Sequence, residues 1–124
     1  ATRAPDEPVL DTEVLARLAD PERGGDPTFL IELIDLFLAQ AEESIAALRD
    51  ATAHGDEQEI ARIAHRLQSS AGNLGARRLQ RLCSEAEQAG NTEQEGAVLL
   101  VVGALVEEFG LVVDALKAER QRAA

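Results

Sequence analysis

The chain has 124 residues, enough for one domain built on a single core. Its apolar residues, 45% of the total, are mostly alanine, leucine and valine, with three Phe and no Trp, Tyr or Met, a supply that favours helices over strands. A net charge of −11, from 23 acidic against 12 basic residues, argues against nucleic acid and against an anionic membrane surface, since both are held by Lys and Arg.

Residues 1–9 (ATRAPDEPV) carry two prolines and no apolar period, and are read as a tail ahead of a domain over 10–122. A short helix is predicted from Asp11 to about Ala19, with Leu10, Val14, Leu15 and Leu18 on one side. The stretch PERGGD ends it. Asp26-Pro27 then starts a long helix, a carboxylate cap followed by proline at the first helical position. Its stripe is Leu30, Ile34, Phe37, Ala41, Ile45 and Leu48, and His54-Gly55 closes it. Asp56 caps a third helix with the stripe Ile60, Ile63, Leu67, Ala71 and Leu74. Past Gly75, Leu79, Leu82, Cys83 and Ala86 mark a fourth.

The last segment reads Val98, Val101, Leu105, Phe109, Val112 and Leu116 in steps of three and four. Its valines suit a strand, and Gly103 and Gly110 each weaken a helix by roughly 1 kcal/mol relative to Ala. Its length decides for a helix, because strands rarely exceed about ten residues. The predicted fold is all-α, an antiparallel four-helix bundle with a short additional N-terminal helix across one end. Charged pairs such as Glu42-Glu43 and Glu107-Glu108 are taken as solvated surface.

No run of 18 apolar residues and no signal-peptide pattern stands out, and the lone Cys83 fits a reducing, cytoplasmic setting. Cys83 falls on an inner stripe, which points to a buried, inert thiol.

The two histidines differ. His54 sits at a helix C-terminus, where a capping or turn role suffices. His65 lies about 160° around its helix from both Ile63 and Leu67, so it projects away from the core stripe. Its own face carries Ala61, Arg62, Gln68, Ser69 and Gly72, mostly small residues that leave the imidazole open. Arg62 and Arg66 are close in sequence, and Arg77, Arg78 and Arg81 follow on the next helix, a cationic setting that suits a phosphoryl group. Positions four residues away are Ala61 and Ser69, so no helical metal-ligand pair forms around His65. No phosphate-binding glycine loop or Ser/His/Asp set is evident, and no cofactor or metal is expected.

The stretch AHRLQSSAGNLGARRLQRLCSEAE, residues 64–87, resembles the signature of histidine-containing phosphotransfer (HPt) domains, approximately A-H-x-L-K-G-S-S-x-x-L-G-A-x-x-L-x-x-L-C-x-x-L-E. The matching positions are Ala64, His65, Leu67, Ser70, Leu74, Gly75, Ala76, Leu79, Leu82, Cys83 and Glu87. The resemblance implies that His65 accepts a phosphoryl group from the aspartyl phosphate of a receiver domain and passes it to a second receiver's aspartate. The partners would be receivers of response regulators or hybrid kinases, which would bring the metal and the acid-base groups. It also implies phosphoryl-proximal roles for Gln68, Ser69, Arg62 and Arg66. A docking face around His65 would use Ala61, Gly72, Ile31, Leu33 and Leu38. Two departures stand out: Gln68 replaces the family's usual lysine, and Ser69 its glycine. Glutamine donates a hydrogen bond but brings no charge, which favours an alternative in which the bundle binds receivers without productive transfer. A purely structural bundle would do neither.

Overall fold

A computed structural model describes residues 7–92 and 95–124. Among these residues it holds five α-helices and one 3₁₀ turn: α1 (Thr12–Ala19), the turn Pro21–Arg23, α2 (Pro27–Ala53), α3 (Glu57–Asn73), α4 (Arg77–Asn91) and α5 (Glu95–Ala123). The helix starts follow from local chemistry. Asp11, Asp26 and Asp56 each accept a hydrogen bond from a main-chain N–H of the first turn, at 3.1, 2.8 and 3.1 Å, satisfying donors that the helix leaves unpaired.

Four long helices close a ring in which α2 packs on α3, α3 on α4, α4 on α5 and α5 back on α2, while α1 packs on α2. The expected all-α bundle is what forms. Its core takes Leu30, Ile34, Phe37, Ala41, Ile45 and Leu48 from α2, and Ile60, Ile63, Leu67 and Ala71 from α3. Leu79, Leu82, Cys83 and Ala86 come from α4. The short first helix adds Leu15, with Leu10 just before it. The core is mostly aliphatic, with one aromatic contact where Phe37 and Phe109 meet at 6.5 Å between ring centroids.

Asp11 ties the first helix to the α3–α4 turn. Its N–H donates to the Gly75 carbonyl at 2.8 Å, and Arg77 forks onto its carboxylate at 2.7 and 3.1 Å. That guanidinium holds the Asp11 carboxyl below the usual carboxylate range. Gly75 sits at φ 76°, and a Cβ there would fall 2.9 Å from the Asp11 carbonyl oxygen, so both backbone conformation and space require glycine. Of the stretch read as a tail, residues 1–6 lie outside the described residues. Glu7 pairs with Arg81, and Val9 packs against the core.

Two expectations for α5 need correction. The inner row is Val98, Val102, Leu105, Phe109, Val112 and Leu116: Val102 is buried, Val101 only half so. The row repeats every seven residues, as bundle packing demands, and position 102 keeps that repeat. Glu108 is not solvated surface either. It is 3% exposed and pairs with Arg78 of α4 at 3.4 Å, while its neighbour Glu107 faces solvent. The helix over Gly96–Ala123 is long and apolar enough to cross a membrane by length and composition, an 18-residue window of it having a mean hydropathy of 2.1, yet its inner row is the core of the bundle.

Arg78→Leu removes the counter-charge of a buried carboxylate and lowers the unfolding free energy by roughly 3 kcal/mol in urea titration. Replacing Glu108 by Leu in the same chain restores most of that loss, since an apolar pair needs no counter-charge.

Candidate functional site

His65 stands on the outward face of α3, its side chain 67% exposed. Ile63, Ala64 and Leu67 on either side of it in sequence are buried. The core row and the histidine thus occupy opposite sides of one helix, as the 100° step per residue dictates.

The neighbouring helix brings the decisive partner. Glu87 of α4 places Oε2 at 2.8 Å from His65 Nδ1. This approach is possible because α4 comes very close to α3 one turn later. A Cβ on Gly90 would fall 2.6 Å from the Glu57 carbonyl oxygen and 3.0 Å from Ala61 Cβ, so only glycine allows that crossing. A carboxylate can only accept, so Nδ1 carries the proton. In the neutral ring Nε2 then holds a lone pair, directed to solvent. The arrangement is an open, oriented nucleophile whose developing positive charge faces a carboxylate. Glu87 is a position of the sequence signature whose role depends on the antiparallel packing of α3 on α4, which pairs position 65 with position 87.

The other predicted residues divide. Arg62 and Arg66 share with His65, Glu87, Gln58 and Asn91 a shallow recess of about 310 Å³. Arg62 is engaged by Glu59, whereas Arg66 forms no ion pair among the described residues and also borders the groove between α2 and α3. Gln68 is half-buried and Ser69 exposed; both continue the face beyond the recess. Gly72 is half-buried beside the Gln80 side chain.

Ala61 borders the same recess but is only 4% exposed, packed into the α3–α4 crossing against Gly90, so its side chain does not project from that face. Arg77, Arg78 and Arg81 do not surround the histidine either: they pair with Asp11, Glu108 and Glu7. They are near His65 in sequence, but none lines its recess, and each is engaged by a carboxylate elsewhere. On α2, Ile31, Leu33 and Leu38 are half-buried, and Leu33 and Leu38 pack against the core. The exposed apolar side chains of that helix are Phe29 and Leu36, and Leu36 shares a small recess with Leu33, Phe37 and Ser70.

Cys83 is fully buried and burial pushes its thiol up to about 12, which makes it inert. Among the described residues no group of three or more His, Cys, Asp or Glu could hold a metal.

His54 behaves as a helix-terminal residue. Its Nδ1 lies 2.8 Å from the Asp50 carbonyl oxygen. That bond, the Asp50 carboxylate and then Asp56 raise its pKa above the ordinary 6.5. A raised folded pKa means that the stabilisation is complete below the unfolded value and is lost as pH rises through the folded one. His54→Ala therefore lowers the melting temperature more at about pH 5.5 than at about pH 8.5, a difference read by thermal denaturation at the two pH values.

The comparisons agree with this geometry. The Hpt domain family matches residues 32–120. Comparison with curated proteins gives no match. Among solved structures, histidine-containing phosphotransfer protein B from Pseudomonas aeruginosa PAO1 is similar at 30% identity with a TM-score of 0.80, covering 94% of this chain and 98% of its own. With the family matched over most of its length and a relative of the same fold over nearly all of it, this chain belongs to the Hpt domain family.

Proposed function

We propose that this protein is a phosphorelay carrier, with the unit over 10–122, that accepts a phosphoryl group on Nε2 of His65 from a receiver-domain aspartyl phosphate. It then passes the group to the aspartate of another receiver. The observation that carries the reading is the Glu87 carboxylate on Nδ1 of an exposed His65. With the proton held on Nδ1, the Nε2 lone pair attacks phosphorus while the bond from phosphorus to the aspartyl oxygen breaks, returning the donor carboxylate. The ring becomes a phosphoimidazolium with Nδ1–H still facing Glu87, so the carboxylate stabilises the charge that develops. Reversal against a second receiver uses the same contacts. A buried, uncharged thiol suits a cytoplasmic setting, which is part of this reading.

Arg66 fills the role left by the missing lysine. It is the cation in the histidine recess with no ion pair among the described residues, whereas Arg62 is already held by Glu59. Leu36 and Leu33, beyond the groove lined by Arg66 and Ser70, would extend the docking face for a receiver. Gln68, in place of lysine, favours the other reading, a module that binds receivers without transfer.

One experiment separates the two. Incubation with phosphoramidate, and separately with a phosphorylated cognate receiver, gives acid-labile label on the wild type and none on His65→Gln. Glu87→Ala slows labelling on the order of 10²-fold, the scale of misplacing a reacting group. Label that persists on His65→Gln overturns the assignment, and receiver binding without label supports the module.

Arg66→Ala shortens the phosphohistidine lifetime or slows transfer by roughly tenfold, the equivalent of one lost charge-assisted contact. Arg62→Ala has the smaller effect, as read from the decay of label in a time course.

A further inference from the structure

α5 carries two rows of seven-residue period. The inner row, Val98 to Leu116, builds the core. The outer row is Gly96, Leu99, Gly103, Val106, Gly110 and Val113, in steps of three and four, which is the pattern of a coiled-coil seam. A Cβ built on any of these three glycines meets no atom within 4 Å, so those positions are open, while Val106 and Val113 are half-buried, Val106 against the edge of the core. Leu99 on the row is 53% exposed, and Leu100 and Leu111 beside it are 78% and 45% exposed. These are three of the five large apolar side chains exposed among the described residues. α5 packs between α4 and α2, so its outer face lies away from α3 and His65.

We propose that this face pairs with the same face of a second copy, α5 against α5, antiparallel about a two-fold axis. The order of sizes along the row argues for a second copy over any other occupant. Aligning Gly103 opposite Val106 of the other copy also sets Leu99 opposite Gly110 and Gly96 opposite Val113. Every branched side chain then meets a glycine, and every glycine meets a branched side chain. A parallel pairing in register sets glycine on glycine and leaves voids. A foreign helix would need its own matching row, whereas a second copy has it by symmetry.

The area sets the strength. From Gly96 to Val113 the row runs roughly 26 Å, and with a helix about 10 Å across its footprint is on the order of 300 Å². That is well under the roughly 800 Å² per partner of a standard interface, so the dimer is weak and reversible. Each copy carries a net charge of −11, and Glu107 flanks the row close to the two-fold axis. Repulsion therefore opposes pairing, and added salt relieves it.

Sedimentation of the whole chain from about 5 to about 500 µM, in low salt and in about 0.5 M NaCl, tests this. The mass is expected to rise with concentration from 13.3 kDa towards twice that value, and more readily in high salt. Gly103→Arg weakens association at least tenfold while keeping the helical circular dichroism, because the position is open and arginine is a better helix former than glycine. Glu107→Gln tightens association and flattens its salt dependence. The proposal is overturned by a wild type that stays monomeric throughout, or by a Gly103→Arg chain that associates equally well. It is also overturned if the wild type stays monomeric yet sediments with phosphatidylcholine vesicles, which would make the face a membrane contact. The result is independent of phosphotransfer, since His65→Gln associates as the wild type does.

Discussion

The close crossing of α3 and α4 is the contact on which the site depends. Gly90 lies against the Glu57 carbonyl and Ala61, with no room for a side chain between the two backbones. One turn away from that crossing, the gap between the helices is bridged by Glu87 and His65 at 2.8 Å. A wider crossing would leave the histidine exposed but unoriented, with either ring nitrogen free to carry the proton. The packing of two small residues thus decides which ring nitrogen faces the carboxylate and which is left without it.

The rest of the bundle serves to hold that crossing and keep the outer face clear. Ile60, Ile63, Leu67 and Ala71 anchor α3 from below, and Leu79, Leu82 and Ala86 do the same for α4. The Asp11–Arg77 and Glu7–Arg81 pairs fasten the N-terminal segment over the turn that joins them. Exposed ion pairs of this kind add little energy individually, but they direct the cations of α4 away from the histidine. The recess therefore keeps few charges of its own, and Arg66 is the cation in it that forms no ion pair among the described residues.

α5 shows how one helix can satisfy two demands. Its inner row fills the core, and Glu108 on its flank is neutralised by Arg78 of α4. Its outer row pairs small with branched residues in the order that suits a copy of itself. Since α5 packs between α2 and α4, what happens on that face leaves the face of His65 free.

Helix positions, caps and the outward direction of His65 were legible in the sequence, because each depends on residues within a turn or two of one another. Asp26-Pro27 and Asp56 announce helix starts through bonds to their own first turns, and the 3.6-residue period alone turns His65 away from Ile63 and Leu67. What lies between helices was not legible. The Glu87 contact, the burial of Ala61 beneath Gly90 and the withdrawal of Arg77, Arg78 and Arg81 to other partners all join positions that are near in space but distant, or differently facing, along the chain. Local periodicity tells which way a side chain points from its own helix. Only the packing of one helix on another determines what it meets there.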